Sequence, residues 1–225
     1  MASAQSRFIA ADVMFGTFSM HSMKDLQHYI VEQSRSNYNL PYAIVSSFPA
    51  YLGFSYLAAY PLSDKWSMGP RLQFYSTGGR IDYGDYSGYI RQDQLLRGYN
   101  LGAYIQGRLT PAEETAFYFT STLGVTVSHL ILVSEVAVGS QSEKEQVGYF
   151  SLNYSIGPGL TFKRKISERF FLQGSAGFEV SIRNKLRYSN NLKLIMQDYR
   201  ERPYNVAWDG LRLGIGTSYR ILKKN

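Results

Sequence analysis

The chain has 225 residues and a formal net charge of +7, from 24 Lys and Arg against 17 Asp and Glu. It contains no cysteine, which excludes thiol nucleophiles, disulfides and cysteine-based metal centres. No run of apolar residues approaches the roughly 18 needed for a membrane-spanning helix, a limit that leaves spans made of strands open.

At the N-terminus, Ala2-Ser3-Ala4 before Gln5 reads in two ways. It is either the small-residue end of a secretory signal, with residues 1–5 the remnant of the cleavage region, or a frayed terminus. The remainder reads as one domain spanning 1–225.

From there on, eight stretches alternate apolar and polar residues, the period of a strand with two chemically different faces. The first runs from Ser6 to Met20, with Ile9, Ala11, Val13 and Phe15 on one side. The second, Ala50 to Tyr60, places Leu52, Phe54, Tyr56, Ala58 and Tyr60 together. In the third, Trp66, Met68, Pro70, Leu72 and Phe74 alternate with Ser67, Gly69, Arg71, Gln73 and Tyr75. The fourth, Tyr89 to Leu109, sets Leu101, Ala103 and Ile105 against Asn100, Gly102, Tyr104 and Gln106. The fifth carries Phe117, Phe119, Leu123, Val125 and Val127 on its apolar side. The sixth, Val147 to Lys163, is the clearest: Phe150, Leu152, Tyr154, Ile156, Pro158, Leu160 and Phe162 share one parity. The seventh shows Phe170, Leu172, Ala176, Phe178 and Val180, and the eighth Leu211, Leu213, Ile215, Tyr219 and Ile221. Pro70 and Pro158 each remove a ladder donor, so a bulge is expected at each.

The polar parity is mostly Gly, Ser, Asn, Gln, Thr and Tyr rather than the Lys and Glu of a water-facing strand. Small uncharged groups suit the crowded interior of a narrow barrel, with the apolar parity facing lipid. A soluble barrel of the lipocalin kind is the rival, with its apolar parity inward. Connections are predicted tight at Pro61–Lys65, Thr110–Thr115 and Arg164–Glu168. They are predicted long at His21–Phe48, Gly78–Gly88, Gly139–Gln146 and Tyr188–Val206. That alternation matches the short periplasmic turns and long outer loops of membrane barrels. Tyr60, Trp66, Phe117, Phe162, Phe170 and Tyr219 all take the lipid parity near the short turns, as an interfacial aromatic girdle requires.

In these features the chain resembles the small eight-stranded outer-membrane barrels of the OmpX and OmpA transmembrane-domain type. The resemblance extends over most of the chain, roughly Ser6 to Leu222. Gly216-Thr217-Ser218-Tyr219-Arg220-Ile221 looks like the last-strand signal read by the barrel-assembly machinery, although Leu222-Lys223-Lys224-Asn225 follow where an aromatic end is usual. The expected fold is all-β: an eight-stranded antiparallel up-and-down transmembrane β-barrel with a short helix in the first extracellular loop. The expected location is the bacterial outer membrane.

Inside such a barrel the charged residues are Asp12, Arg71, Glu179 and Arg212, with Glu179 expected to pair with Arg212 and with Asp12 and Arg71 at comparable depth on strands one and three. They form either an ion-pair plug or a gated ion path, and unpaired charges there would cost several kcal/mol each. Catalysis is not expected. The histidines are His21, His28 and His129, and Ser128 and His129, adjacent on a strand, point to opposite faces. No cofactor or metal motif is present, and no nucleic-acid motif accompanies the basic residues.

The outer loops are the expected seat of function. Ser22-Met23-Lys24-Asp25 resembles a capping box, and Met23, Leu26, Tyr29 and Ile30 follow at helical spacing. That helix lies on the rim, enters the leaflet or docks a partner. Tyr83, Tyr86 and Tyr89 lie among Gly and Asp in the second loop. Arg183, Lys185, Arg187, Lys193, Arg200 and Arg202 form a basic cluster in the fourth, suited to lipopolysaccharide phosphates. The function read from sequence is a non-enzymatic structural or interaction protein, whose partners are lipid, lipopolysaccharide, another envelope protein or a host surface. A narrow channel for small or hydrophobic solutes is the alternative.

Overall fold

A computed structural model describes residues 7–38, 40–110 and 114–221. The predicted signal remnant and the last four residues lie outside that range. The described elements are β1 (Arg7–Gly16), α1 (His21–Tyr38), β2 (Ala43–Ser47), β3 (Tyr51–Pro61), β4 (Trp66–Asp85) and β5 (Gly88–Arg108). They continue with β6 (Thr115–Val138), β7 (Gln141–Lys165), β8 (Phe170–Ile182), β9 (Arg187–Tyr188), β10 (Asn191–Ile195) and β11 (Gly210–Ile221).

Eight of these strands close a ring in the order β1-β3-β4-β5-β6-β7-β8-β11. The seam is the antiparallel pair β1–β11, from Arg7 opposite Ile221 to Gly16 opposite Arg212. Closure leaves no unpaired edge, which is the condition for placing strands in hydrocarbon. Both described chain ends therefore sit at one end of the barrel, beside the turns at 62–65 and 166–169.

The alternation decides which face is which. Leu52, Ile156 and Leu213 are 54%, 53% and 45% exposed on the outer wall, while Ser55, Thr126 and Asn153 on the opposite parity are fully buried. The soluble rival needs the reverse. The protein is thus a barrel with a greasy exterior and a polar-lined interior.

Three expectations are corrected. Neither proline makes a bulge. Leu57↔Arg71 and Tyr60↔Met68 keep one register on either side of Pro70, and Ser121↔Pro158 falls in an unshifted β6–β7 ladder. Instead, β3–β4 pairing is simply interrupted beside Pro70, where the donor is missing. Second, Gly78–Gly88 and Gly139–Gln146 are not loops. The hairpins run on in unbroken register to the two-residue turns at 86–87 and 139–140. The asymmetry between the two barrel ends lies in strand extension: β6 has 24 residues against the ~9–11 that span a bilayer. About half of that hairpin therefore stands clear of the membrane.

Third, the capping box does not form. Helix α1 starts at His21, the amides of Met23 and Lys24 both donate to the Met20 carbonyl at 3.0 Å, and Met20 has φ 44°. The Ser22 hydroxyl instead accepts the Asn205 amide at 3.2 Å, tying the helix to the fourth loop. The helix has 18 residues and turns Met23, Leu26 and Gln27 inward, all buried. It roofs the mouth opposite the termini, above a cluster containing Phe18, Tyr75, Leu96, Leu130, Tyr149 and Trp208.

Candidate functional site: a filled lumen and an outer cleft

The lumen is filled in three tiers. Nearest the termini, Lys163 donates to Gln106 Oε1 at 3.1 Å and lies about 5 Å from the Phe8 and Tyr118 ring centres. In the middle tier, Asp12 Oδ1 accepts from Gln173 Nε2 at 2.6 Å, and Arg71 Nε donates to Ser55 Oγ at 3.1 Å. Asp12 and Arg71 thus face the same cavity, at the comparable depth expected, and make no direct ion pair. Glu179 and Arg212 do come together, with Nε to Oε2 at 3.7 Å and both side chains buried. The Tyr75 hydroxyl lies 2.8 Å from the same Glu179 oxygen and 2.7 Å from Gln73 Oε1. The guanidinium and the phenol offset the charge on Glu179 Oε2, while Glu179 Oε1 and Arg212 Nε stay buried without a hydrogen-bond partner among the described residues, so the pair is only partly satisfied.

The third tier is apolar. Trp208 has no exposed surface, stacks on Tyr75 at 5.4 Å and meets Phe18 edge-on at 5.0 Å. Its Nε1 donates to Ser128 Oγ at 2.8 Å, and its carbonyl accepts from Arg212 Nη2. The Arg212 guanidinium spans the two upper tiers, 4.9 Å from the Phe18 ring centre and 5.1 Å from that of Tyr75. A cavity of about 50 Å³ lies among Asp12, Arg71, Gln173, Glu179 and Arg212, room for a few waters.

Parity reading missed Lys163, although it continues the inward series that ends at Thr161. It also missed Trp208, which reaches the lumen from a loop rather than a strand. The one available signal was the apolar run Val206-Ala207-Trp208 inside a polar segment.

The six girdle positions all lie on the outer wall at the end bearing the termini. Phe117 packs on Phe162 at 5.2 Å and Phe170 on Tyr219 at 5.0 Å, while Tyr60 and Trp66 are each 46% exposed.

At the opposite end, α1 and residues 198–205 enclose a cleft of about 440 Å³ lined by His21, Asp25, His28, Tyr29, Tyr199 and Arg202, among others. Tyr29 and Tyr199 stack across it at 5.6 Å and 15°. The loop is cinched on Asp198, whose Oδ1 accepts the amides of Arg200 and Arg202 at 2.8 Å and whose Oδ2 accepts Arg202 Nε at 2.8 Å. Burial opposes ionisation of Asp198, but these donors outweigh it and hold its pKa below the usual carboxylate value.

The other predicted contact residues divide. Leu26 is buried under the helix and Ile30 packs against the same cluster, so neither is offered to a partner. Tyr86 is fully exposed at its hairpin tip, while Tyr83 donates to Asp85 Oδ2 at 2.8 Å and Tyr89 to Glu135. Arg187 donates to the Leu192 carbonyl at 2.7 Å, and Arg183 pairs with Asp209 at 2.6 Å. Lys193 and Arg200 are exposed, with no ion pair among the described residues, and Arg200 lies over the Tyr199 ring at 5.0 Å. Of the six basic residues, Arg183, Arg187 and Arg202 are thus held by internal partners.

His21 and His28 both line the cleft, yet neither hydrogen-bonds a serine or carboxylate among the described residues. Ser128 is buried facing the lumen and His129 points the other way. No group of three or more His, Asp or Glu able to hold a metal occurs among the described residues.

A closed ring of eight antiparallel strands, apolar outside and polar inside, with an aromatic belt at one rim, defines an outer-membrane-type β-barrel of the OmpX and OmpA architecture. Solved structures of that class are similar in fold. The Neisserial surface protein A is 12% identical with a TM-score of 0.44, covering 96% of this chain and 97% of its own. OprG of Pseudomonas aeruginosa is 11% identical with a TM-score of 0.48, covering 98% and 97%. The outer-membrane protease OmpT of Escherichia coli is 8% identical with a TM-score of 0.42, covering 97% and 98%. No protein-family model and no curated protein sequence matches the chain. At these identities and scores the neighbours lend no ligand or activity.

Proposed function

We propose that this chain is a non-enzymatic, non-conducting barrel of the bacterial outer membrane that binds a polar partner at the cell surface through its outward rim. One observation carries the reading: the cleft between α1 and residues 198–205 is open and mixed in chemistry, while Trp208 is fully buried in the lumen against Phe18 and Tyr75. Stacked tyrosines beside carboxylates, imidazoles and guanidinium groups offer the aromatic area and adaptable polar contacts that recognition surfaces use. The projecting β6–β7 hairpin and the exposed Tyr86 extend the same rim. The narrow channel is the weaker reading, because a pore needs a continuous wet path and Phe18, Tyr75 and Trp208 pack together in the upper tier.

Two experiments test this. The purified barrel in a planar bilayer is expected to show no steady conductance, and a stable open level would refute the non-conducting lumen. A photo-cross-linker placed at Tyr199 in intact cells is expected to capture a partner, and the capture is expected to fall at least several-fold in Tyr29→Ala. Capture that is equal from Tyr199 and from a site on the short turns, such as Asp64, would refute the cleft.

A further inference from the structure

The outer wall is not uniformly convex. Across β11, β1, β3 and β4, the small residues Thr217, Ala11, Ala58 and Pro70 form a floor, and Tyr219, Ile9, Tyr56 and Leu72 stand up around it. Together they enclose a groove of about 450 Å³ whose lining is almost entirely apolar. The floor is built by register: Ala11 pairs with Thr217 on one side and Tyr56 on the other, and Ile9 pairs with Tyr219 and Ala58. Pro70 lines it where the β3–β4 ladder is interrupted.

At the terminal end of this groove stand two arginines. Arg7 lies 5.5 Å over the Tyr60 ring, and Arg169 Nη1 donates to the Tyr219 hydroxyl at 3.2 Å. Both are exposed, and neither has a carboxylate partner among the described residues. Of the nearby acids, Glu168 is held by Lys165 at 2.9 Å, and Asp64 sits in the adjoining turn. The tyrosines place this end at headgroup level, where cations attract anionic lipid.

We propose that the groove is a binding site for one anionic phospholipid of the leaflet at the short-turn side. An acyl chain lies along Ala11, Ala58 and Pro70, and the phosphate lies between Arg7 and Arg169. A second copy of the chain is the other occupant that small residues permit. A two-fold contact through this patch would bring Arg7 and Arg169 of each copy to the same height against their own equivalents, a like-charge contact that disfavours it.

The test is native mass spectrometry of the full chain released from nanodiscs holding equal phosphatidylglycerol and phosphatidylethanolamine. One phosphatidylglycerol is expected to be retained in preference to phosphatidylethanolamine. Arg7→Gln with Arg169→Gln is expected to lower that preference by roughly five-fold per arginine, while the Arg→Lys pair keeps it. Ala11→Phe, on the exposed floor, is expected to lower retention of both lipids while the barrel keeps its heat-modifiable mobility. Equal retention of the two lipids, a preference that survives both Gln substitutions, or a lipid-free dimer would overturn the proposal.

Discussion

Trp208→Ala removes the side chain on which the upper tier is built. The indole has no exposed surface, and its Nε1 bond to Ser128 is 2.8 Å long. A fully buried Trp→Ala change costs about 3–5 kcal/mol, and the Ser128 hydroxyl keeps only the longer bond from Asn153 Nδ2, at 3.3 Å. Trp208→Phe preserves most of the stacking on Tyr75 and forfeits the hydrogen bond, so it should cost about 1–2 kcal/mol. The assay is equilibrium unfolding in urea with refolded protein in lipid vesicles, read by the gel mobility of folded and unfolded species. The same Trp208→Ala protein, examined in a planar bilayer, should show current fluctuations absent from the parent, because the packed tier is breached. An unfolding midpoint for Trp208→Ala within about 0.5 kcal/mol of the parent would refute the claim that this tier holds the barrel mouth together.

Arg212→Met leaves Glu179 buried without its counter-ion and should cost about 3–5 kcal/mol, whereas Arg212→Met with Glu179→Gln should recover much of that in the same unfolding assay. Gly98→Ala should destabilise too, since a Cβ there falls 2.7 Å from the Trp208 ring; urea midpoints of Gly98→Ala and of Gly98→Ala combined with Trp208→Phe should show whether the two sites are coupled. Asp85 accepts from the Ser87 hydroxyl and amide, from Tyr83 and from the Gly88 amide, which lowers its pKa to about 2 from 3.8. Its contribution to hairpin order is therefore complete above pH 3.8 and is lost as pH falls through about 2. The Ser87 amide NMR resonance should report that titration, and a midpoint at or above the ordinary carboxylate value would contradict it.

The barrel wall was legible because a period of two has only two phases, and one phase carried Leu, Ile and Phe while the other carried Gly, Ser and Asn. Lipid on one side and a crowded lumen on the other leave no third solution. Hairpin lengths were legible in part. The run Ala116 to Val138 is too long for a membrane span and reads as projecting past it, as the 24-residue β6 does. The continued pairing at 78–88 was hidden, because backbone pairing continues wherever register is kept. The Gly and Asp residues at 78–88 read as loop markers, but Asp85 is used to close a two-residue turn. Lumen chemistry was half legible: Glu179 and Arg212 were placed together by height, whereas the bond from Gln173 to Asp12 was not foreseen. The plug was hidden, since Trp208 is brought in by a loop whose path is set by contacts with the segment after β1, such as the Ser19 amide on the Asp209 carbonyl at 3.0 Å. The helix was visible but its direction was not. Met23, Leu26 and Ile30 define an apolar stripe without saying that the barrel mouth is what it covers.

The account depends on hydrocarbon lying against the outer wall, and the chain's two tryptophans test it directly: Trp66 stands on that wall and Trp208 lies inside. Protein refolded into vesicles of brominated-acyl lipid should show strong fluorescence quenching in Trp208→Phe, where only Trp66 remains, and little in Trp66→Phe. Quenching of the inner tryptophan with sparing of Trp66, or a parent protein that stays monodisperse in buffer without detergent, would contradict it.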